Sequence, residues 1–254
     1  MQARIVGAVR GAHWLAEGWR LFRAAPFVWL LLVFGYFVAT QLVALVPVIG
    51  SALAAIAIPG LTLGFMAVAR AAEHGAIDAR LLFEGFRHDA RRQLALGVVY
   101  MGCCLLVVGA VVLADADGVL RAVFGGEREA DSLEPGELLA PLAAFIVVYT
   151  PTMMLFWFSP PLCAWHSAGV AKALFFSFFG CLLNWRALLA YGGVIAAVML
   201  IVNAVALALL RLGAGASRAQ LFTFVLTSLL LLLPTLFASF YASYRDVFGY
   251  HSAE

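Results

Sequence analysis

The chain has 254 residues, of which AVILMFWYC side chains make up 65% and DEKR side chains only 12%, with a formal net charge of +2. Soluble domains hold roughly 45–50% apolar and about 25% charged residues, so a water-covered body is excluded and lipid must coat much of the surface. The near-neutral balance also excludes the basic footprint of a nucleic-acid binder.

Residues 1–25 carry Arg4, Arg10, Arg20 and Arg23, with Glu17 among them. At helical spacing Ile5, Val9, Ala12, Leu15, Ala16, Trp19 and Phe22 share one face. Arg10, His13, Glu17 and Arg20 share another, and Trp14 is expected at headgroup level. That pattern predicts an amphipathic helix lying flat at the interface. The first apolar run then covers 26–46, too long and too late for a cleaved signal peptide, and reads as a retained span. Five more runs follow, at 51–69, 93–114, 138–162, 187–210 and 220–243. Each is near the length of about 20 residues that crosses hydrocarbon. Backbone groups find no water there, so long unbroken apolar runs must be helices.

Pro47 and Gly50 turn the chain sharply between the first two spans. Gly60 and Gly64, a GxxxG in the second, let another helix approach closely. Pro151, Pro160, Pro161 and Pro234 are expected to kink or end the fourth and sixth helices. Between the second and third spans, Leu82, Phe83 and Phe86 oppose Asp78, Glu84, His88 and Arg91, which reads as a second interfacial helix. The stretch 173–185 is apolar almost all round yet only about 13 residues long, short for a span, and reads as interfacial or re-entrant.

These lead-in segments resemble one another. Glu17-Gly18-Trp19-Arg20 stands six residues before Pro26, and Glu84-Gly85-Phe86-Arg87 six before Gln93. Phe176-Ser177-Phe178-Phe179 stands at the same offset before Trp185. The expected fold is an all-α membrane protein, a single integral membrane domain over residues 1–254. It has six transmembrane helices as three hairpins, each preceded by an amphipathic interfacial helix, and an outer acidic loop at 115–137. With the N-terminus inside, the inner segments hold 12 of the 16 Lys and Arg residues. The positive-inside bias therefore puts both termini in the cytosol, at a bacterial inner membrane. The loop at 115–137, with seven acids, faces away.

The stretches HWLAEGWRLFRAAPFVW, GLTLGFMAVARAAEHGAIDARLLFEGFR and FSPPLCAWHSAGVAKALFFSFFGCLLNWRALLAYG resemble a family of uncharacterised six-span proteobacterial inner-membrane proteins. More distantly they are similar to YciC-type proteins and to the membrane domain of some glycerophosphodiester phosphodiesterases. The resemblance implies a helical inner-membrane fold and no activity, because its motifs are aromatics, glycines and an Asn-Trp pair rather than catalytic groups.

Candidate sites are weak by the same measure. Arg20, Arg87, Trp19, Phe86, Trp185 and Arg186 are the candidate lipid-interface residues, since guanidinium matches phosphate oxygens and aromatics favour the headgroup zone. Glu17 with Arg20 and Glu84 with Arg87 are spaced for pairing within their helices. Glu84 with His88, and His74 with Asp78, are spaced i,i+4, which could serve a metal or acid–base chemistry but is ordinary helix-surface chemistry. Gln41 and Asn203 are the strongest polar groups within the spans and read as interhelical hydrogen-bond partners. Cys103, Cys104, Cys163 and Cys181 read as packing residues. No ionisable side chain stands mid-span, which argues against a coupled transporter.

No catalytic residue, metal site or cofactor is expected. The favoured reading is a non-enzymatic lipid-associated accessory or scaffold protein whose partners are membrane lipids, other membrane proteins or a second copy of itself. The alternatives are a transporter of a lipid or small apolar solute, and a cytosol-facing lipid-headgroup enzyme using Glu84 and His88.

Overall fold

The computed structural model describes residues 2–47, 49–115, 136, 139–212 and 218–249. Most of the acidic loop, and His251, lie outside them. The described residues are almost entirely helical: α1 (Ala8–Ala24), α2 (Pro26–Ala44), α3 (Gly50–Glu73), a 3₁₀ turn (Ala79–Phe83), α4 (Glu84–His88) and α5 (Ala90–Ala114). After the acidic loop come α6 (Leu139–Phe156), α7 (Ser159–Trp165), α8 (Val170–Leu183), α9 (Trp185–Leu212) and α10 (Arg218–Phe248). Among the described residues six segments are long and apolar enough to cross a membrane: α2, α3, α5, α6 with α7, α9 and α10.

Local chemistry sets the breaks. Pro26 occupies the first turn of α2, where its missing N–H costs nothing. The fourth apolar run is broken at Trp157 and Phe158, and Pro160 and Pro161 open α7. Gln93, wholly buried, donates from Nε2 to the Pro160 carbonyl at 3.0 Å. Pro151 and Pro234 lie inside α6 and α10, which continue past them. With 14 residues α8 is about 21 Å long, short of the roughly 30 Å of hydrocarbon.

The spans do not pack evenly. α3 lies mainly against α5 and α10, and α5 against α6, whereas α2 touches α3 less and α9 touches α10 less. α3 is the most enclosed of the six, and Leu63, Phe65, Met66 and Val68 on it are fully buried. Phe65 stacks on Phe237 at 4.1 Å, and Tyr36 meets both rings edge-on.

The first helix departs from expectation. α1 packs along α9 and α10 and buries Gly11, Trp14, Leu15, Gly18, Leu21 and Phe22. A Cβ on Gly11 would overlap the Ala187 carbonyl, and one on Gly18 the Thr235 carbonyl, so the backbones nearly touch. Trp14 is completely enclosed by protein, its indole bonded to Asp246. Ile5, Val9 and Trp19 remain exposed. The buried stripe is centred on the two glycines and takes only Leu15 and Phe22 from the expected apolar face.

The start of the chain is pinned at the same end. The amide of Arg4 donates to the Val247 carbonyl at 2.9 Å. Buried Asn184 accepts from the Val6 amide at 2.8 Å and donates to the Arg4 carbonyl at 2.9 Å. Residues 4 and 247 are therefore neighbours.

Candidate functional site

The charged residues converge where α1, α3, α4, α7 and α10 meet. At 31 residues α10 is about 46 Å long, some 16 Å more than the hydrocarbon needs. Its last turn can therefore carry Arg245 and Asp246 outside the oil. Arg245 is the hub: Nη1 pairs with Glu73 at the end of α3, and Nη2 with Glu17 on α1. Glu73 also accepts from the Tyr241 hydroxyl at 3.1 Å. Asp246 accepts from Arg10 Nε and from the indole of Trp14, both at 2.8 Å. Arg10 reaches Glu17 at 3.5 Å and closes the ring.

A second cluster adjoins it. Glu84, at the start of α4, accepts from the Trp165 indole at 3.0 Å and lies 3.9 Å from Arg70. The Arg70 guanidinium sits 4.5 Å from the centre of the Trp165 ring, a cation–π contact. Trp165 in turn meets Tyr241 and Tyr244 edge-on, which links the two clusters. His166 Nε2 lies 2.8 Å from the Tyr244 hydroxyl, and burial lowers its pKa below the ordinary 6.5.

Chemically this is a clamp. Acids and arginines from different helices neutralise one another, and the carboxylates accept from arginines, indoles and a phenol. Partly buried charges need such partners, because an unpaired one bears its full desolvation cost. Among the described residues no three His, Cys, Asp or Glu side chains gather as a metal site would require.

The residues singled out from sequence fall elsewhere. Arg20, Arg87 and Arg186 are exposed, and no ion pair joins Glu17 to Arg20 or Glu84 to Arg87 among the described residues; both acids turn to partners on other helices. Trp19 is about half exposed beneath Arg23, and Trp185 likewise beneath Arg186. Phe86 seats its ring on Gly60, and Gly64 lies under the Leu82 backbone. These two glycines thus receive the segment 82–86 rather than another span. Gln41 is exposed, and Asn203 donates to the Met199 carbonyl of its own helix at 2.7 Å. The side chain of His88 lies outside what is described. The four cysteines are free thiols.

The sequence reading missed Arg245, Asp246, Glu73 and Trp165. One signal was present: Glu73, Arg245 and Asp246 stand at the ends of apolar runs, where a charge meets either lipid headgroups or another charge. Nothing along the chain says which.

No family model matches the chain, and no solved structure matches it. A protein of Burkholderia thailandensis described as a probable inner membrane protein is 39% identical over 258 residues, covering 98% of this chain and 94% of its own length.

Proposed function

The chain belongs to the same family as that probable inner membrane protein of Burkholderia, its own six membrane-length helices make it a multi-pass membrane protein, and on that premise we propose that it is a non-enzymatic scaffold. It holds its helices rigidly at the cytosolic face and grips lipid phosphates there. The observation that carries this is the division of its charges. Glu17, Glu73, Glu84, Asp246, Arg10, Arg70 and Arg245 are committed to helix-to-helix contacts. The exposed arginines 20, 23, 87 and 186 stand outside that clamp, Arg23 over Trp19 and Arg186 over Trp185. Guanidinium beside an interfacial indole suits the phosphate layer, at about 1 kcal/mol per basic residue near an anionic surface.

Both termini are cytosolic in this reading, in support of which 12 of 16 Lys and Arg residues fall in the inner segments. Three hairpins with interfacial lead-ins make up the body. The supporting pattern is that residues 79–88 pack on α3, α8 packs on α6, and α1 packs on α10, so each lead-in rests on the closing span of another pair. The distant likeness to YciC-type proteins and phosphodiesterase membrane domains points to the same architecture.

The test is mass spectrometry of the protein released from native membrane. Replacing Arg20, Arg87 and Arg186 together by Gln is expected to lower the number of anionic lipids retained while leaving the melting transition intact. Headgroup turnover or solute flux by the purified protein in liposomes would overturn the scaffold role. Orientation is checked separately: a cysteine at exposed His74 should resist an impermeant maleimide added outside, and one at Asp131 should react.

A second reading rests on one crevice. Thr62, Tyr100, Tyr149, Met153 and Phe240 help line an opening of about 250 Å³ between α3, α5, α6 and α10. Its apolar walls and few hydroxyls suit an apolar solute, which favours the transport alternative; Gln41 and Asn203 do not line it.

A further inference from the structure

We propose that a cleft between the start of α5 and the α7–α8 turn binds the phosphate of an anionic glycerophospholipid, with one acyl chain lying down an open track on α5. The cleft holds about 550 Å³ and is lined by Asp89, Arg91, Arg92, Ala95, Ser167 and Val170, together with Ala164. Asp89 is engaged by Arg92 at 3.0 Å, which leaves Arg91, exposed, as the cation without a carboxylate partner among the described residues. The site therefore carries one net positive charge.

Backbone geometry adds donors. Ser167 has φ +52°, the one positive φ at a non-glycine position among the described residues. It swings the chain so that α8 starts at the cleft wall. Gly169 caps α8 without any side-chain bond, and Asp89 likewise gives none to α5. The first amides of both helices thus keep their donors, and both helices direct their positive ends towards the cleft.

A free phosphate would need only this much. The lipid assignment comes from what continues beneath. Arg91, Ala95, Val98, Gly102, Leu105 and Gly109 recur at four- and three-residue steps and so share one face of α5. Val98 is 51% exposed and Leu105 65%. A Cβ on Gly102 or Gly109 would meet nothing within 4 Å. The face leading down from the arginine is thus apolar and unoccupied along the depth of the membrane. A cation at the top of a bare apolar track matches an acidic headgroup above a fatty chain, and the charge complementarity selects the anionic lipid over a zwitterionic one.

The inference needs the bilayer location but not the scaffold role. The probes are phosphatidylglycerol, phosphatidylcholine and inorganic phosphate, titrated onto delipidated full-length protein in detergent and read by native mass spectrometry. One retained phosphatidylglycerol per chain is expected, with phosphatidylcholine held more weakly and phosphate failing to displace the lipid. Arg91→Gln should weaken phosphatidylglycerol about tenfold, as loss of a charge-assisted bond does. Gly102→Leu, which fills open space and leaves the clamp alone, should weaken it while leaving the melting transition intact. Full phosphatidylglycerol affinity in folded Arg91→Gln and Gly102→Leu would overturn the site, and so would efficient displacement by phosphate. Lipid turnover in liposomes would sink the scaffold role and leave this site standing.

Discussion

Replacing Arg245 with Met tests the clamp at its hub. The change keeps an apolar stem of similar length and removes the cation that faces both Glu17 and Glu73. Those two carboxylates are only 22% and 21% exposed, so water can rescue them only in part. An exposed ion pair is worth about 0–1 kcal/mol, whereas breaking a buried one costs about 3–5 kcal/mol because a charge is left unpaired. Partial burial places Arg245→Met between these, at about 2–4 kcal/mol. Adding Glu73→Gln removes one of the orphaned charges and should recover about 1–2 kcal/mol, the non-additivity expected of groups in one network. The assay is reversible unfolding in mixed detergent and SDS micelles followed by tryptophan fluorescence, with Trp14 reporting locally through its bond to Asp246. Exposed Arg20→Met serves as control. A cost for Arg245→Met no greater than the control's, or no relief from Glu73→Gln, would refute the claim that these charges hold the helices together.

Two further outcomes follow from the packing and from the titration of one histidine. Gly18→Leu drives a side chain into the Thr235 carbonyl and Ser239, an overpacking cost of about 1–3 kcal/mol or more, and should free α1 to proteolysis; Gly35→Leu, set in open space, should not, and equal resistance of the two variants would show that α1 is not docked on α10. His166 is held below its ordinary pKa of 6.5 by burial, so below about pH 6.5 the unfolded chain gains a proton that the folded chain does not. Its contribution is complete above that pH and is lost as the pH falls towards the depressed folded value. The drop in stability should shrink in His166→Gln, and an identical pH profile in the variant would refute it.

The six membrane-length helices could be read along the chain because a helix in oil satisfies its own backbone within the segment, so run length and composition suffice. Local interruptions were also readable, since the Pro160–Pro161 pair acts on its own helix. The lead-in helix was legible as a helix but not in its facing. Its apolar positions named one stripe, while the contact that decided its docking runs through Gly11 and Gly18, residues with no hydrophobicity to count.

The charged site escaped for a different reason. Glu17 and Arg20 are neighbours on a helix surface, and spacing alone favours their pairing. In the fold Arg245 and Arg10 reach Glu17 instead, because α10 runs beyond the hydrocarbon and returns to the end where α1 begins. A partner 228 residues away leaves no periodic trace. Sequence by itself determined that oil is the solvent and where the chain crosses it, a matter of transfer energy summed along a segment. Only tertiary structure decided which charges neutralise each other and which arginines stay outside, because that depends on helix ends meeting in space.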